Sequence, residues 1–201
     1  KECRYRMESE LKYILDTLHQ MGYVDMAVLD CHNDGKTLMS FCEENNIKFY
    51  NHIWSLNDAQ KYDCAFLIGF HSKKGVEGYF SHTIRPDIDQ VLLGENDIGE
   101  VELLINWMAF YGVPVVYISG DESVKSELEN YNGEFVATKS IGGKRVCLDY
   151  KKADILTHIK SALSKEIKMQ YVDCRVVIKL VGTNYIKFMP RELFEIDNNA
   201  I

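Results

Sequence analysis

The sequence predicts an α/β fold: a largely parallel sheet flanked by helices on both faces, with a small C-terminal appendage. Three observations carry this expectation. The continuous apolar runs Cys64–Phe70 and Val113–Ser119 have the character of strands covered on both faces. Segments with apolar residues at helical period, such as Gly99–Tyr111 and Ala153–Lys168, lie between and beyond those runs. The two kinds of segment alternate along most of the chain, which is the order of parallel strands joined by helical crossovers.

Met7, Leu11, Ile14, Leu15 and Leu18 form one apolar stripe of a first helix, and Gly22 is its stop. Glu8 and Glu10 are expected on the solvated side of that helix. Asp25–Asp30 reads as a short strand running into the polar loop Cys31-His32-Asn33-Asp34-Gly35. Thr37–Glu44 reads as a short helix and Ile47–Ile53 as a strand. Past Cys64–Phe70, the glycine-punctuated stretch Gly75–Leu93 offers strands near Gly78–Ile84 and Gln90–Leu93. The helix Gly99–Tyr111 turns Leu103, Leu104, Trp107, Met108 and Tyr111 toward the core, and Gly112 caps it. The next strand ends in Ser119-Gly120-Asp121. A polar helix is expected over Ser123–Tyr131, a strand over Glu134–Lys139, the helix Ala153–Lys168 with Ile155, Ile159, Ala162 and Leu163 inward, and a last strand over Cys174–Val181. With three prolines, no repeat and no proline-rich linker, residues 1–168 are expected to form one α/β domain, and 169–201 a C-terminal strand and extension.

A chain of 201 residues can bury about 70% of its unfolded surface, enough for a full core. Apolar residues at 46% and charged residues at 26% are ordinary globular values and argue against disorder. Lys and Arg number 23 against 30 Asp and Glu, a net charge of −7, so general binding to nucleic acid or to an anionic membrane is not expected. No apolar run approaches the ~20 residues needed to cross a bilayer. The six cysteines (Cys3, Cys31, Cys42, Cys64, Cys147, Cys174) are scattered without a Cys-x-x-Cys pair, which favours reduced thiols and a cytoplasmic setting.

His32 comes after the strand Asp25–Asp30, His71 after Cys64–Phe70, and His82 lies in Ser81-His82-Thr83. Open parallel sheets bind ligands outside the carboxyl ends of their strands, so these histidines are placed to converge on one crevice. Glu100 sits at a helix start, where the backbone dipole helps to keep a carboxylate ionised. Imidazole nitrogen with carboxylate oxygen is a donor set suited to zinc. The four residues are far apart in sequence, and no compact motif such as His-Glu-x-x-His joins them. A histidine just after a strand is more often a hydrogen-bonded loop residue, and spacing alone leaves both readings open. His19 and His158 are expected on solvated helix surfaces and His52 at a core edge. Gly142-Gly143-Lys144-Arg145 reads first as a hairpin turn with solvated cations; it is not a P-loop, since Gly-Lys-Ser/Thr is absent. Lys139 or Arg145 would be the basic residue able to approach a substrate carboxylate. Asp121 reads as a turn residue at a strand end, with contact to a substrate amino group as its alternative.

Several separated motifs, taken together, resemble one family. Cys64-Ala65-Phe66-Leu67-Ile68-Gly69-Phe70-His71, then Gly75 to Gly78, then Ser81-His82-Thr83 is similar to the DppA-like D-aminopeptidases. Asn96-Asp97-Ile98-Gly99-Glu100 resembles that family's glycine–glutamate segment. Tyr111-Gly112-Val113-Pro114-Val115-Val116 and Ser119-Gly120-Asp121 resemble its next helix exit and strand. Upstream, Leu29-Asp30-Cys31-His32 resembles an Asn-Asp-Ser-His segment. The resemblance runs from about Met7 to Leu163. It implies a dinuclear zinc aminopeptidase acting on short peptides with an N-terminal D-amino acid, such as D-Ala-D-Ala, assembled as a homo-oligomeric decamer around an inner chamber. By the same resemblance His32, His71 and Glu100 match metal ligands, and His82 matches the residue assigned as catalytic nucleophile. A neutral imidazole competes poorly with metal-activated water, so His82 is read as a proton shuttle or electrophile.

The sequence departs from the family in two places. The family's first strand carries an Asp-x-Glu pair that binds the metals, and no such pair precedes the first helix here; residues of the natural product are expected in front of Lys1. After Glu100 the family favours Gly-Leu-Asn-Ala, where this chain has Val101-Glu102-Leu103-Leu104-Ile105-Asn106. The alternative reading is a catalytically inactive α/β binding or assembly module that has lost the metal site. A flavodoxin-like nucleotide binder is the third, and the lack of a glycine-rich phosphate loop after any strand speaks against it.

Overall fold

The computed structural model describes residues 2–32, 36–50, 58–142, 145–147, 152–171, 176–182 and 185–188. In chain order the elements are α1 (Glu2–Gln20), β1 (Ala27–Leu29), α2 (Met39–Glu44), β2 (Lys48–Tyr50), β3 (Ala65–Phe70), β4 (Ile88–Leu93), β5 (Asn96–Ile98), α3 (Glu100–Phe110), β6 (Val115–Asp121), β7 (Glu134–Gly142), β8 (Arg145–Cys147), α4 (Lys152–Ser164), β9 (Val176–Leu180) and β10 (Tyr185–Phe188). A 3-10 stretch, Glu122–Glu127, continues directly from β6.

The result is a mixed α/β fold organised on the parallel strands β3-β6-β7, with β8 returning antiparallel along β7. Strand β6 lies between β3 and β7, and every one of its seven residues is buried, which explains its unbroken apolar reading. Its Val116 and Tyr117 pack with Ile14 and Leu18 of α1 and with Ile155, Ile159 and Ala162 of α4. Val115 and Ile118 instead join Val101, Leu104, Trp107 and Met108 of α3. Helices therefore cover both faces of the sheet.

Strands β1 and β2 pair in parallel under α1, where Leu11, Leu15, Val28, Leu38 and Cys42 form a third cluster. Strands β4 and β5 form an antiparallel hairpin that delivers the chain straight into α3, and β9 pairs antiparallel with β4. No helix among the described residues is long and apolar enough to cross a membrane.

Close packing at the carboxyl ends of β3 and β6 depends on Gly120. A Cβ added there would stand 2.2 Å from the Phe70 carbonyl oxygen, inside the contact distance of any two atoms. The absence of a side chain lets the two strand ends meet where His71 begins.

Three expectations need correction. Residues 78–84 are not a strand. Their polar groups close loops instead: the Tyr79 N–H donates to Asp121 Oδ2 at 2.7 Å, the His82 N–H to the Ser72 carbonyl at 3.2 Å, and the Thr83 hydroxyl accepts from the Lys74 N–H at 3.1 Å. Ser123–Tyr131 is not an α-helix; helical structure there is the single 3-10 stretch, capped by Asp121, whose Oδ1 accepts from the Ser123 N–H. Glu10 is buried rather than solvated. It occupies the lane of Ile14 and Leu18 at i, i+4 and i+8, so the covered face of α1 is wider than the stripe read from the sequence.

Candidate metal centre

Strand β3 ends one residue before His71, and the β5–α3 junction supplies Glu100 from the first turn of α3. The loop between β3 and β4 brings His82 back over the first of these, its ring stacked on that of His71 with centroids 4.0 Å apart. One ligand atom from each of His71, His82 and Glu100 lies within 4.8 Å of the others. His71 Nε2 stands 3.7 Å from Glu100 Oε1, and both side chains are mostly buried.

The hydrogen bonds of the two rings select their free atoms. His71 Nδ1 donates to the Ser72 carbonyl at 3.1 Å and His82 Nδ1 donates to the Phe80 carbonyl at 2.6 Å. A neutral imidazole that spends its proton on Nδ1 leaves the Nε2 lone pair for a cation. Burial first, with His82 and Lys139 assisting against the pull of Glu100, keeps the His71 imidazole less basic than usual, which favours that neutral form. Glu100 is oriented from the same loop, since its Oε1 accepts from the Ile84 N–H at 2.6 Å. Donor chemistry and orientation fit a zinc-class ion.

Ser72 ties these parts together. Its carbonyl accepts from the His71 ring and from the His82 N–H, and its hydroxyl lies 2.7 Å from Ser81 Oγ. The Ser123 hydroxyl, within 2.8 Å of Asp121 Oδ1, also reaches Ser72 Oγ at 2.9 Å. These three hydroxyls crowd Gly78 so closely that a Cβ there would come within 2.3–2.7 Å of each. Sequence reasoning missed Ser72, Ser81 and Ser123, because lone serines in loops carry no spacing that marks a network.

The other site candidates fall in different places. His32 is not among the three clustered residues; it is half exposed, and its Nδ1 donates to the buried Asp30 Oδ1 at 2.9 Å. Desolvation of its sulfur, then the charges of Glu100 and Asp30, raise the Cys31 thiol far above its ordinary range, although the residue as a whole is exposed. The loop carrying His32 is therefore within electrostatic reach of Glu100. Asp121 is 2% exposed and spends both oxygens on Tyr79 and Ser123. Lys139 Nζ donates to the Gly69 carbonyl at 2.9 Å, near the end of β3 and within electrostatic reach of His71. The Arg145 side chain and His52 lie outside the described residues. His158, expected in solvent, is part-buried and donates from Nδ1 to Glu134 Oε1 at 2.5 Å.

The fold is that of an α/β protein in which His71, His82 and Glu100, side chains of metal-ligating type, gather beside the end of β3. A model of the family described as D-aminopeptidase matches residues 1–180. The chain belongs to that D-aminopeptidase family. A curated relative, the D-aminopeptidase of Bacillus subtilis (strain 168), is 23% identical over 176 residues, and the match covers 82% of this chain but only 64% of the relative. Among solved structures, the chain is similar to the zinc-dependent D-aminopeptidase DppA from Bacillus subtilis, described as a self-compartmentalizing protease. That superposition has a TM-score of 0.73 at 21% identity and covers 87% of this chain and 69% of the other.

Proposed function

We propose that the protein is a zinc-dependent aminopeptidase hydrolysing short peptides with an N-terminal D-amino acid, D-Ala-D-Ala among them. The observation that carries this reading is the convergence of His71, His82 and Glu100, with both imidazoles bonded through Nδ1 to backbone carbonyls. Family membership supports the reaction class; both relatives' descriptions name D-aminopeptidase activity, and that of the solved structure names zinc dependence.

In this reading His71 and Glu100 hold metal through Nε2 and a carboxylate oxygen. His32 is assigned as a further ligand, since the Asp30 carboxylate on its Nδ1 is the kind of partner that orients and strengthens a ligating imidazole. Two ions per subunit are expected, and zinc bound there would polarise a peptide carbonyl and bring a water's pKa toward ~7. His82 carries the proton: its Nε2 takes one from the attacking water as the new C–O bond forms and returns it to the leaving nitrogen as the C–N bond breaks. The Phe80 carbonyl on Nδ1 holds the ring in orientation and stabilises the transient imidazolium. We further assign a homo-oligomer, a decamer with inward-facing sites, and a cytoplasmic setting in keeping with the free thiols of Cys31, Cys42 and Cys64.

Elemental analysis of the full-length protein, with hydrolysis of D-Ala-D-Ala against L-Ala-L-Ala, tests the reading. Expected are zinc near two per chain, preference for the D-peptide and a decameric mass in sedimentation. His71→Ala and Glu100→Gln should lose zinc and activity together. His82→Ala should keep zinc and lose activity by roughly 100-fold or more, the usual weight of a proton-transfer group. Protein without zinc or hydrolysis after metal loading would establish the binding-module reading instead.

A further inference from the structure

Phe80 and Ile84 hold their backbones at φ 59° and 57°, and the described residues contain one other non-glycine residue at positive φ, Asn46. Left-handed backbone is unfavourable for side chains with a Cβ and most of all for a branched one such as Ile. Such strain persists where the surroundings over-determine it, and it gathers at binding and catalytic sites. These two residues flank His82 at a distance of two on either side. Each is tied by its own backbone to a group of the site: the Phe80 carbonyl accepts from His82 Nδ1, and the Ile84 N–H donates to Glu100 Oε1, both at 2.6 Å.

The same backbone turns leave both side chains open. Phe80 is 73% exposed and Ile84 39%. The ring of Tyr79 lies 4.4 Å from that of Phe80 and extends the aromatic surface. The neighbouring cation, Arg85, is committed to Asp87 through two hydrogen bonds of 3.0 and 2.8 Å. A scattered exposed apolar residue needs no explanation. Here there are two, each with its backbone at positive φ and bonded through that backbone to a different group of one site.

We propose that Phe80 and Ile84 form an apolar rim against which the substrate side chain next to the scissile bond rests. The site then selects peptides with an apolar side chain at that position. This rests on the hydrolase reading above and adds its specificity.

The test measures kcat/KM of zinc-loaded full-length protein on D-Leu-D-Ala and D-Ala-D-Leu against D-Ser-D-Ala and D-Ala-D-Ser. Wild type is compared with Phe80→Ala, Phe80→Gly and Ile84→Asn, with zinc content and sedimentation recorded for each. Glycine and asparagine tolerate positive φ, so ring loss is separated from backbone release. The expected result is a fall of about tenfold in the leucyl-to-seryl ratio for one of the two positions, the scale of losing contact with a few methylene groups. It should appear in KM rather than kcat and be alike in Phe80→Ala and Phe80→Gly. An unchanged ratio in a wild type that hydrolyses these peptides overturns the rim and leaves the hydrolase reading standing. A ratio unchanged while the oligomer dissociates overturns it too, and places the ring between copies of the chain. Wild type inactive on all four peptides overturns the hydrolase reading and this inference with it.

Discussion

What an imidazole can do with one nitrogen depends on what its other nitrogen touches, and three histidines of this protein have a hydrogen-bond partner on Nδ1. The Ser72 and Phe80 carbonyls engage His71 and His82, and the Asp30 carboxylate engages His32. Asp30 also accepts from the Leu38 N–H at 2.7 Å, so its two oxygens serve separate purposes. Replacing it by asparagine keeps shape and removes charge. Asp30→Asn is expected to weaken zinc affinity or turnover roughly 10–100-fold, as losses of such partners do. Competition with a chelator at several zinc concentrations measures it; unchanged affinity and turnover would return His32 to the role of a loop residue. The sequence showed which residue types could converge but not these partners. Two of the three are main-chain carbonyls, and any residue provides a carbonyl.

At the scale of elements, the strands and helices with long apolar pattern were legible. Cys64–Phe70, Val113–Ser119 and Gly99–Tyr111 became β3, β6 and α3 with ends moved by at most two residues. Burial on one or both faces writes a period into such segments. Short pieces held by specific contacts were not legible: β5 has three residues and no room for a pattern, and residues 78–84 are shaped by single bonds to Asp121 and Ser72. The meeting of β3 and β6 makes one substitution decisive. Gly120→Ala would force its methyl against the Phe70 carbonyl, and no flexible side chain is there to yield. A loss of about 3 kcal/mol is expected, the upper range for overpacking, which lowers Tm by roughly 6–12 °C in a chain of this size. Thermal unfolding monitored by circular dichroism reads it directly, together with reduced zinc content, since His71 starts where the clash falls.

For the whole molecule, one buried and one part-buried carboxylate give stability opposite dependences on pH. Burial, reinforced by the charges of Glu102 and Asp97, lifts the Glu127 carboxyl to about 7, against the hydrogen bond that its Oε1 accepts from the Lys73 N–H. An acid raised on folding favours the folded state when protonated. Its contribution is complete below the ordinary carboxyl value of 4.5 and is lost as pH rises through about 7. Glu134 behaves conversely. Burial would raise it, but Lys165, His158 and Ser161 outweigh that and hold it low. Its contribution is present above the ordinary value and is lost as acid passes below it. Urea midpoints at pH 5 and pH 8 should therefore differ in the wild type and converge in Glu127→Gln, which cannot ionise, with the variant more stable at pH 8 by about 3 kcal/mol at most. Equal responses of the two proteins would show that Glu127 does not titrate in this range.

The Ser72 carbonyl, finally, is a single fulcrum with two arms. One oxygen steadies the ring of His71 and anchors the chain at His82, so a tilt of that one peptide plane displaces both imidazoles in concert. His71 and His82 are accordingly positioned as a unit. A substitution that alters this turn is expected to disturb His71 and His82 together, not one of them alone.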